Sequence, residues 1–148
     1  MSRSPDFSSA AYDREAEYEI VARWWREGVG VEPLPLHASP RLGLWTLWDE
    51  VRVAAAFAYS TTADLFIMAF PIADPTLSWR HQAQAMSFAV STLAKAIRDR
   101  SPRTVIISLS HEETVHQTYV KRAGFCGTGK TWIGVSAPAD LNVDILTE

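Results

Sequence analysis

Residues 65–109 read LFIMAFPIADPTLSWRHQAQAMSFAVSTLAKAIRDRSPRTVIISL, and the succession of patterns in this stretch decides the fold. Leu65 to Ile72 are nearly all apolar, as in a strand covered on both faces. Ala73-Asp74-Pro75 ends that run. From about Trp79 to Arg100 the period changes: Met86, Val90, Leu93 and Ile97 recur at spacings of four, three and four, which marks one buried face of a helix. Arg80, Gln84, Lys95, Arg98 and Asp99 occupy much of the remainder. Pro102 closes the helix, and Thr104–Leu109 reads as a short β-branched strand. Strand, crossover helix and strand predict a right-handed βαβ unit with 65–72 and 104–109 as parallel neighbours.

Upstream, Leu42–Trp48 and Val51–Tyr59 are strand-like and are separated only by Asp49-Glu50, which predicts an antiparallel hairpin. Asp13 can cap a helix running to about Glu27, with Glu15 and Glu17 in its first turn and Ala16, Ile20, Val21 and Trp24 on one face. Gly28 is expected to stop it, and the Pro- and Gly-rich stretch to Pro40 to form a loop. Downstream, Ser110-His111-Glu112-Glu113 forms a capping box for a helix to Ala123, with Gly124 following. Thr131–Val135 and Val143–Leu146 are candidate edge strands. The expected organisation is a flexible lead-in over 1–11, with room for one short strand, and a single domain over 12–148. Its class is α/β of the α+β type: a mixed, mostly antiparallel sheet with one parallel strand pair and helices on both faces.

The bulk composition narrows the function. The chain has 148 residues, 47% of them hydrophobic, and a formal charge of −3, which describes an ordinary folded domain. No basic block offers a grip on nucleic acid, and no stretch approaches a membrane span. A single cysteine, Cys126, excludes an internal disulfide framework. A cytoplasmic location suits this composition. Gly124 to Thr131 matches the phosphate-binding pattern G-x-x-x-x-G-K-[ST], but a helix precedes it and a strand follows. A glycine turn explains it better than a nucleotide site. His111 and His116 are five apart, about 140° round a helix, so they do not share the face a metal site needs. No metal is expected.

Three local features together resemble the GNAT family of N-acetyltransferases across roughly residues 12–135, in particular small divergent members of bacterial or phage type. Asp74-Pro75 resembles the family's Val-x-Pro segment at the end of a buried strand. Arg80-His81-Gln82-Ala83-Gln84-Ala85 resembles a degraded Arg/Gln-x-x-Gly-x-Gly/Ala motif opening the long helix. Lys121-Arg122-Ala123-Gly124-Phe125 resembles the basic, Gly-Phe ending of the family's last major helix. The resemblance implies acetyl transfer from acetyl-CoA to an amine. Coenzyme A would bind through Arg80, His81, Gln82, Ala83, Gln84 and Ala85, its phosphates at the helix N-terminus. Its pantetheine arm would lie between strands 65–72 and 104–109.

The departures from the family pattern are specific. Ala83 stands where the family usually has glycine, and two extra residues separate Pro75 from Arg80. Val120 replaces the tyrosine that protonates the leaving thiolate, with Tyr119 one position earlier. Asp64, at the start of the apolar strand, is the nearest carboxylate to serve as a base. Tyr119 and Asp64 are therefore the catalytic candidates, and the alternative is a catalytically inactive GNAT-fold protein that acts by binding a protein partner. The six tryptophans bear on that alternative. Trp24 and Trp25 cannot share one helix face, and Trp45 and Trp48, three apart on a strand, point to opposite faces. At least one of each pair is expected near the surface, as an anchor for a protein partner or a homodimer.

Overall fold

A computed structural model of the chain describes residues 4–110, 125 and 132–136. Among these residues, six strands form one sheet in chain order: β1 (Phe7–Ala11), β2 (Leu42–Trp48), β3 (Val51–Ser60), β4 (Leu65–Ala73), β5 (Val105–Ser110) and β6 (Trp132–Ser136). Helix α1 (Arg14–Trp24) packs on one face and α2 (Trp79–Arg100) on the other. β4 and β5 pair in parallel and every other adjacent pair is antiparallel, so the expected mixed sheet and βαβ unit are present. The lead-in contributes β1, which pairs with β2 from Phe7↔Trp48 to Ala11↔Leu44. The helix expected from Ser110 to Ala123, beyond Ser110 itself, the 124–131 turn, His111, His116, Cys126 and strand 143–146 lie outside the described residues, Phe125 excepted.

The β2–β3 hairpin turns on Asp49 (φ 49°) and Glu50 (φ 64°). Both central residues of a two-residue turn must be left-handed to match the twist of the flanking strands, so the short Asp-Glu break suffices despite its side chains. Along β2 the period of two sends Leu42, Leu44 and Trp48 towards α2 and Trp45 and Leu47 towards α1. A register shift between Thr46 and Leu47 adds a residue to β3 and puts both Val53 and Ala54 in the α2-side core.

Helix α2 begins where Ser78 Oγ accepts from the His81 N–H at 3.3 Å. Its stripe of Ala85, Ala89, Val90, Leu93, Ala94 and Ile97 is buried, with Met86 partly so. Ala54, Ala56 and Ala58 of β3 belong to the same core. Small residues on both sides bring the helix close to the sheet. Thr46, fully buried, donates its hydroxyl to the Ala85 carbonyl at 3.2 Å and ties β2 to the first turns of α2.

Helix α1 is capped by Asp13, whose Oδ1 accepts from the N–H groups of Glu15 (3.1 Å) and Ala16 (3.3 Å). Gly28 does not stop it. The regular helix gives way at Trp25 to one π-helical turn, Trp25–Val29, and the left-handed Gly30 (φ 76°) closes it. Gly28 serves a different need: a Cβ there would sit 3.1 Å from Pro75 Cβ, so it lets the turn press against the β4–α2 loop. Glu17 anchors the helix to the sheet. It accepts from Trp45 Nε1 and from the Asp13 N–H, both at 2.8 Å, and pairs with Arg52.

Two outcomes follow. Glu50→Gly removes a left-handed strain of roughly 1–2 kcal/mol, less the entropy glycine loses on folding, and should raise stability by about 1 kcal/mol in urea denaturation. Burial raises the pKa of Glu17, but its hydrogen bonds from Trp45 and Asp13 and its pairing with Arg52 outweigh this and hold it below the ordinary 4.5. A lowered folded-state pKa adds stability at neutral pH that is lost as the pH falls below about 4.5. Urea midpoints taken from pH 7 down to pH 3 should therefore fall more steeply for the wild type than for Glu17→Gln.

Candidate functional site

The sheet opens between its two parallel strands. β4 pairs with β5 from Leu65↔Val105 to Met68↔Ser108. Beyond that point Leu109 and Ser110 stay with β6, while Ala69, Ile72 and Ala73 stay with β3. β4 is irregular along its other edge as well. Between Ala55↔Ile72 and Phe57↔Ala69 three steps on β4 match two on β3, a bulge that includes Phe70 and Pro71. Proline has no N–H to give to a ladder, so inside a sheet it sits at an edge or a bulge. Pro71 stands inside the apolar run that the sequence presents as a uniform buried strand, and it was the available signal for the split.

A recess lies at the split, lined by Ala56, Phe57, Met68, Ala69, Pro71, Val90 and Ser108. It is narrow and leaves no space for a water molecule. Ser108, buried on β5, is the one hydroxyl among its described lining residues. None of these described residues is a carboxylate.

The loop from β4 to α2 closes at the same end of the sheet. Asp74 Oδ1 accepts from the Thr76 N–H at 2.9 Å and its hydroxyl at 2.7 Å, and Gln82 Nε2 donates to the Leu77 carbonyl at 2.8 Å. With Ser78 capping His81, the first-turn N–H groups of Trp79 and Arg80 keep no intrahelical partner. Arg80 is exposed and forms no ion pair among the described residues. The six motif residues divide. Arg80 faces solvent, His81 packs edge-on against Trp48 (4.9 Å between centroids), Gln82 is spent on the loop and Ala83 is half-buried. Gln84 keeps a buried Oε1 without a partner, and Ala85 is in the core under Thr46. The small residue at position 85 is thus explained by helix-to-sheet packing. Asp64 is exposed at the opposite end of β4, and Tyr119 and Val120 lie outside the described residues.

The tryptophans sort by face as their spacing demands. Trp24 and Trp45 are buried together, 5.7 Å between centroids at 84°. Trp25 and Trp48 are half-buried, Trp48 being covered by Phe7 and His81. Trp79, at the first position of α2, is the exposed one among the described side chains, at 77%.

A second, larger pocket of about 220 Å³ opens on the α1 face. Tyr12, Tyr18, Val21, Trp25, Pro33 and Leu34 are among its walls, and Phe57 closes its floor. Phe57 also lines the recess at the split, so the two spaces share a residue. Its position depends on Gly43, where a Cβ would come within 2.7 Å of the Phe57 ring. Burial pushes the Tyr12 hydroxyl up to about 12, with Glu17 adding to the effect, so it stays protonated throughout the physiological range. No group of three or more metal-capable side chains occurs among the described residues, and no helix there is long and apolar enough to cross a membrane.

No protein-family model and no curated protein matches the chain by sequence. Solved structures do match it in shape. A domain from Methanocaldococcus jannaschii DSM 2661 superposes with a TM-score of 0.71 at 13% identity, covering 90% of this chain and 99% of that one. Aminoglycoside 6'-acetyltransferase type Ii gives 0.67 at 12% identity, over 88% and 96% of the two chains. The PaiA N-acetyltransferase from Thermoplasma acidophilum, solved in complex with coenzyme A, gives 0.62 at 11%, over 89% and 99%. Identities this low carry the fold and not the activity. The sheet order, the single parallel pair that parts midway and the helix that begins at its opening lead to the same conclusion as these superpositions: the chain has the GNAT acetyltransferase fold.

Proposed function

We propose that the chain binds acetyl-coenzyme A at the parting of β4 and β5 and transfers its acetyl group to an amine. The observation that carries this reading is the split itself, at the C-terminal ends of two parallel strands where α2 also begins. Coenzyme A fits the phosphate end of this arrangement. The free N–H groups of Trp79 and Arg80 suit an anion, and the Arg80 side chain adds a charge-assisted contact. The segment from Arg80 to Ala85 is accordingly proposed as the cofactor-binding stretch. Backbone groups of β4 beyond Met68, which β5 does not use, suit the amides of the pantetheine arm. Bound acetyl-coenzyme A supplies an acetyl thioester, from which the acetyl group passes to a neutral amine nitrogen while the C–S bond breaks and the proton lost by nitrogen ends on the thiol. Ser108 is the hydroxyl this chain places at that point, and Tyr119 is retained as a proposed proton donor. Asp64, at the other end of β4, is given no part. A cytoplasmic setting belongs to the same proposal.

The narrowness of the recess favours a second reading, in which the fold is kept for binding a protein partner without transfer. Calorimetric titration of the full chain with acetyl-coenzyme A separates the two. Transfer predicts saturable binding that Arg80→Ala weakens about tenfold, the worth of one charge-assisted contact of about 1.4 kcal/mol, and that Ala83→Arg abolishes. Absence of binding at about 1 mM acetyl-coenzyme A, with the fold intact by circular dichroism, would overturn the transfer reading.

A further inference from the structure

The pocket on the α1 face is built rather than incidental. Its roof, the loop from Val31 to Ser39, is tied down at four points. Tyr18 donates its hydroxyl to the Leu34 carbonyl at 2.5 Å and Tyr59 to the Ala38 carbonyl at 2.7 Å. Arg14 Nη1 donates to the Ser39 carbonyl at 3.2 Å, and Arg26 Nε meets Glu32 Oε1 at 3.3 Å. Val31, Leu34 and Leu36 of this loop are exposed, so burial does little to seat it and these bonds hold it over the space.

Size and lining define what fits. An apolar cavity of about 150 Å³ accepts benzene, and drug-sized ligands need roughly 300 Å³ or more. The present 220 Å³ lies between these, room for one ring with a short side chain or a branched chain of similar bulk. The walls are aromatic and aliphatic. Glu32 is the one carboxylate among the described walls, at the exposed rim, where Arg26 meets both it (3.3 Å) and Glu19 (4.0 Å). The apolar walls offer no partner to the second and third charges of a polycation. Tyr12 is the exception to the apolar character. It is more than nine-tenths buried, its ring is wedged against Phe57 (4.9 Å) and Trp45 (5.6 Å), and its hydroxyl bonds no described residue. That hydroxyl has one proton to give and lone pairs to accept with, and a ligand in the pocket can engage either.

We infer that this pocket holds the apolar body of a small monoamine, with Tyr12 bonding its single polar group, and that polyamines and aminoglycoside-like polycations are excluded. The amine in this assignment rests on the acetyl-transfer reading, through the Phe57 wall shared with the recess; the apolar character of the pocket does not. Aminoglycoside 6'-acetyltransferase type Ii, similar in fold, takes a polycationic acceptor by its name, so the inference separates this chain from that protein by substrate class.

The probes are 2-phenylethylamine, toluene and spermidine, titrated into the full chain without acetyl-coenzyme A and followed by NMR shift changes. Phenylethylamine should saturate and spermidine should not. Leu34→Trp, which fills the pocket from its half-open rim and keeps the Leu34 carbonyl, should weaken phenylethylamine at least tenfold. Tyr12→Phe should weaken it about fivefold to tenfold while toluene changes less than twofold, a difference that a merely structural role for Tyr12 would not give. Failure of phenylethylamine to saturate a folded protein, equal binding of spermidine, or indifference to Leu34→Trp would each overturn the inference. So would a dimer that Leu34→Trp dissociates, because the pocket would then be a subunit interface. If phenylethylamine saturates while acetyl-coenzyme A does not bind, the apolar pocket stands and the transfer reading falls. If acetyl-coenzyme A binds and phenylethylamine does not, the pocket assignment alone falls.

Discussion

Pro71 has no N–H to give to a ladder, and it sits inside an interior strand. β4 accommodates it with a bulge at Phe70-Pro71 against β3, and beyond Met68 it also leaves β5. A sheet that would otherwise close the middle of the molecule is opened there. The backbone groups freed by the opening must find partners elsewhere, and buried peptide groups without partners cost about 1–3 kcal/mol each. An extended ligand with amides of its own is one way to satisfy them. The proposed cofactor site, the recess and the shared Phe57 wall all follow from this one discontinuity.

What makes the opening usable is the seating of α2. Ala54, Ala56 and Ala58 share a core with Ala85 and Ala89, and the Thr46 hydroxyl holds the Ala85 carbonyl. Alanines contribute little transfer energy, while Val90, Leu93 and Ile97 supply about 1.5–3 kcal/mol each on burial. The alanines set distance and the larger residues set strength. Together they fix the first turn of α2, with its free N–H groups, at the end of the sheet where β4 and β5 part. On the opposite face the same sheet carries the Trp24–Trp45–Tyr12 aromatic core, and α1 with the loop after it shapes the second pocket.

Much of the fold was legible because it rests on local periodicity. The four-three-four spacing from Met86 to Ile97 gives α2, the Asp49-Glu50 break gives the hairpin, and the period of two puts Trp45 and Trp48 on opposite faces. What escaped depends on contacts between distant segments. Gly28 looks like a helix stop, yet its role is to meet Pro75, and Gly30 is the left-handed residue that ends the turn. Trp48 looks like a surface anchor until Phe7 and His81, from β1 and α2, cover it. The motif Arg80–Ala85 is legible as a helix opening, but its division into a solvent-facing Arg80 and a core Ala85 follows only from how α2 meets β2. The α1-side pocket draws on four separate stretches of chain and leaves no motif at all.

The proposed site depends on β4 and β5 parting after Met68 and Ser108. Cross-strand nuclear Overhauser effects between backbone protons of the two strands measure this directly. Contacts should link Leu65–Met68 with Val105–Ser108, and none should run from Ala69–Ile72 to Leu109 or Ser110. A ladder that ran on past Met68 to Ile72 would contradict it, and would leave no opening for either substrate.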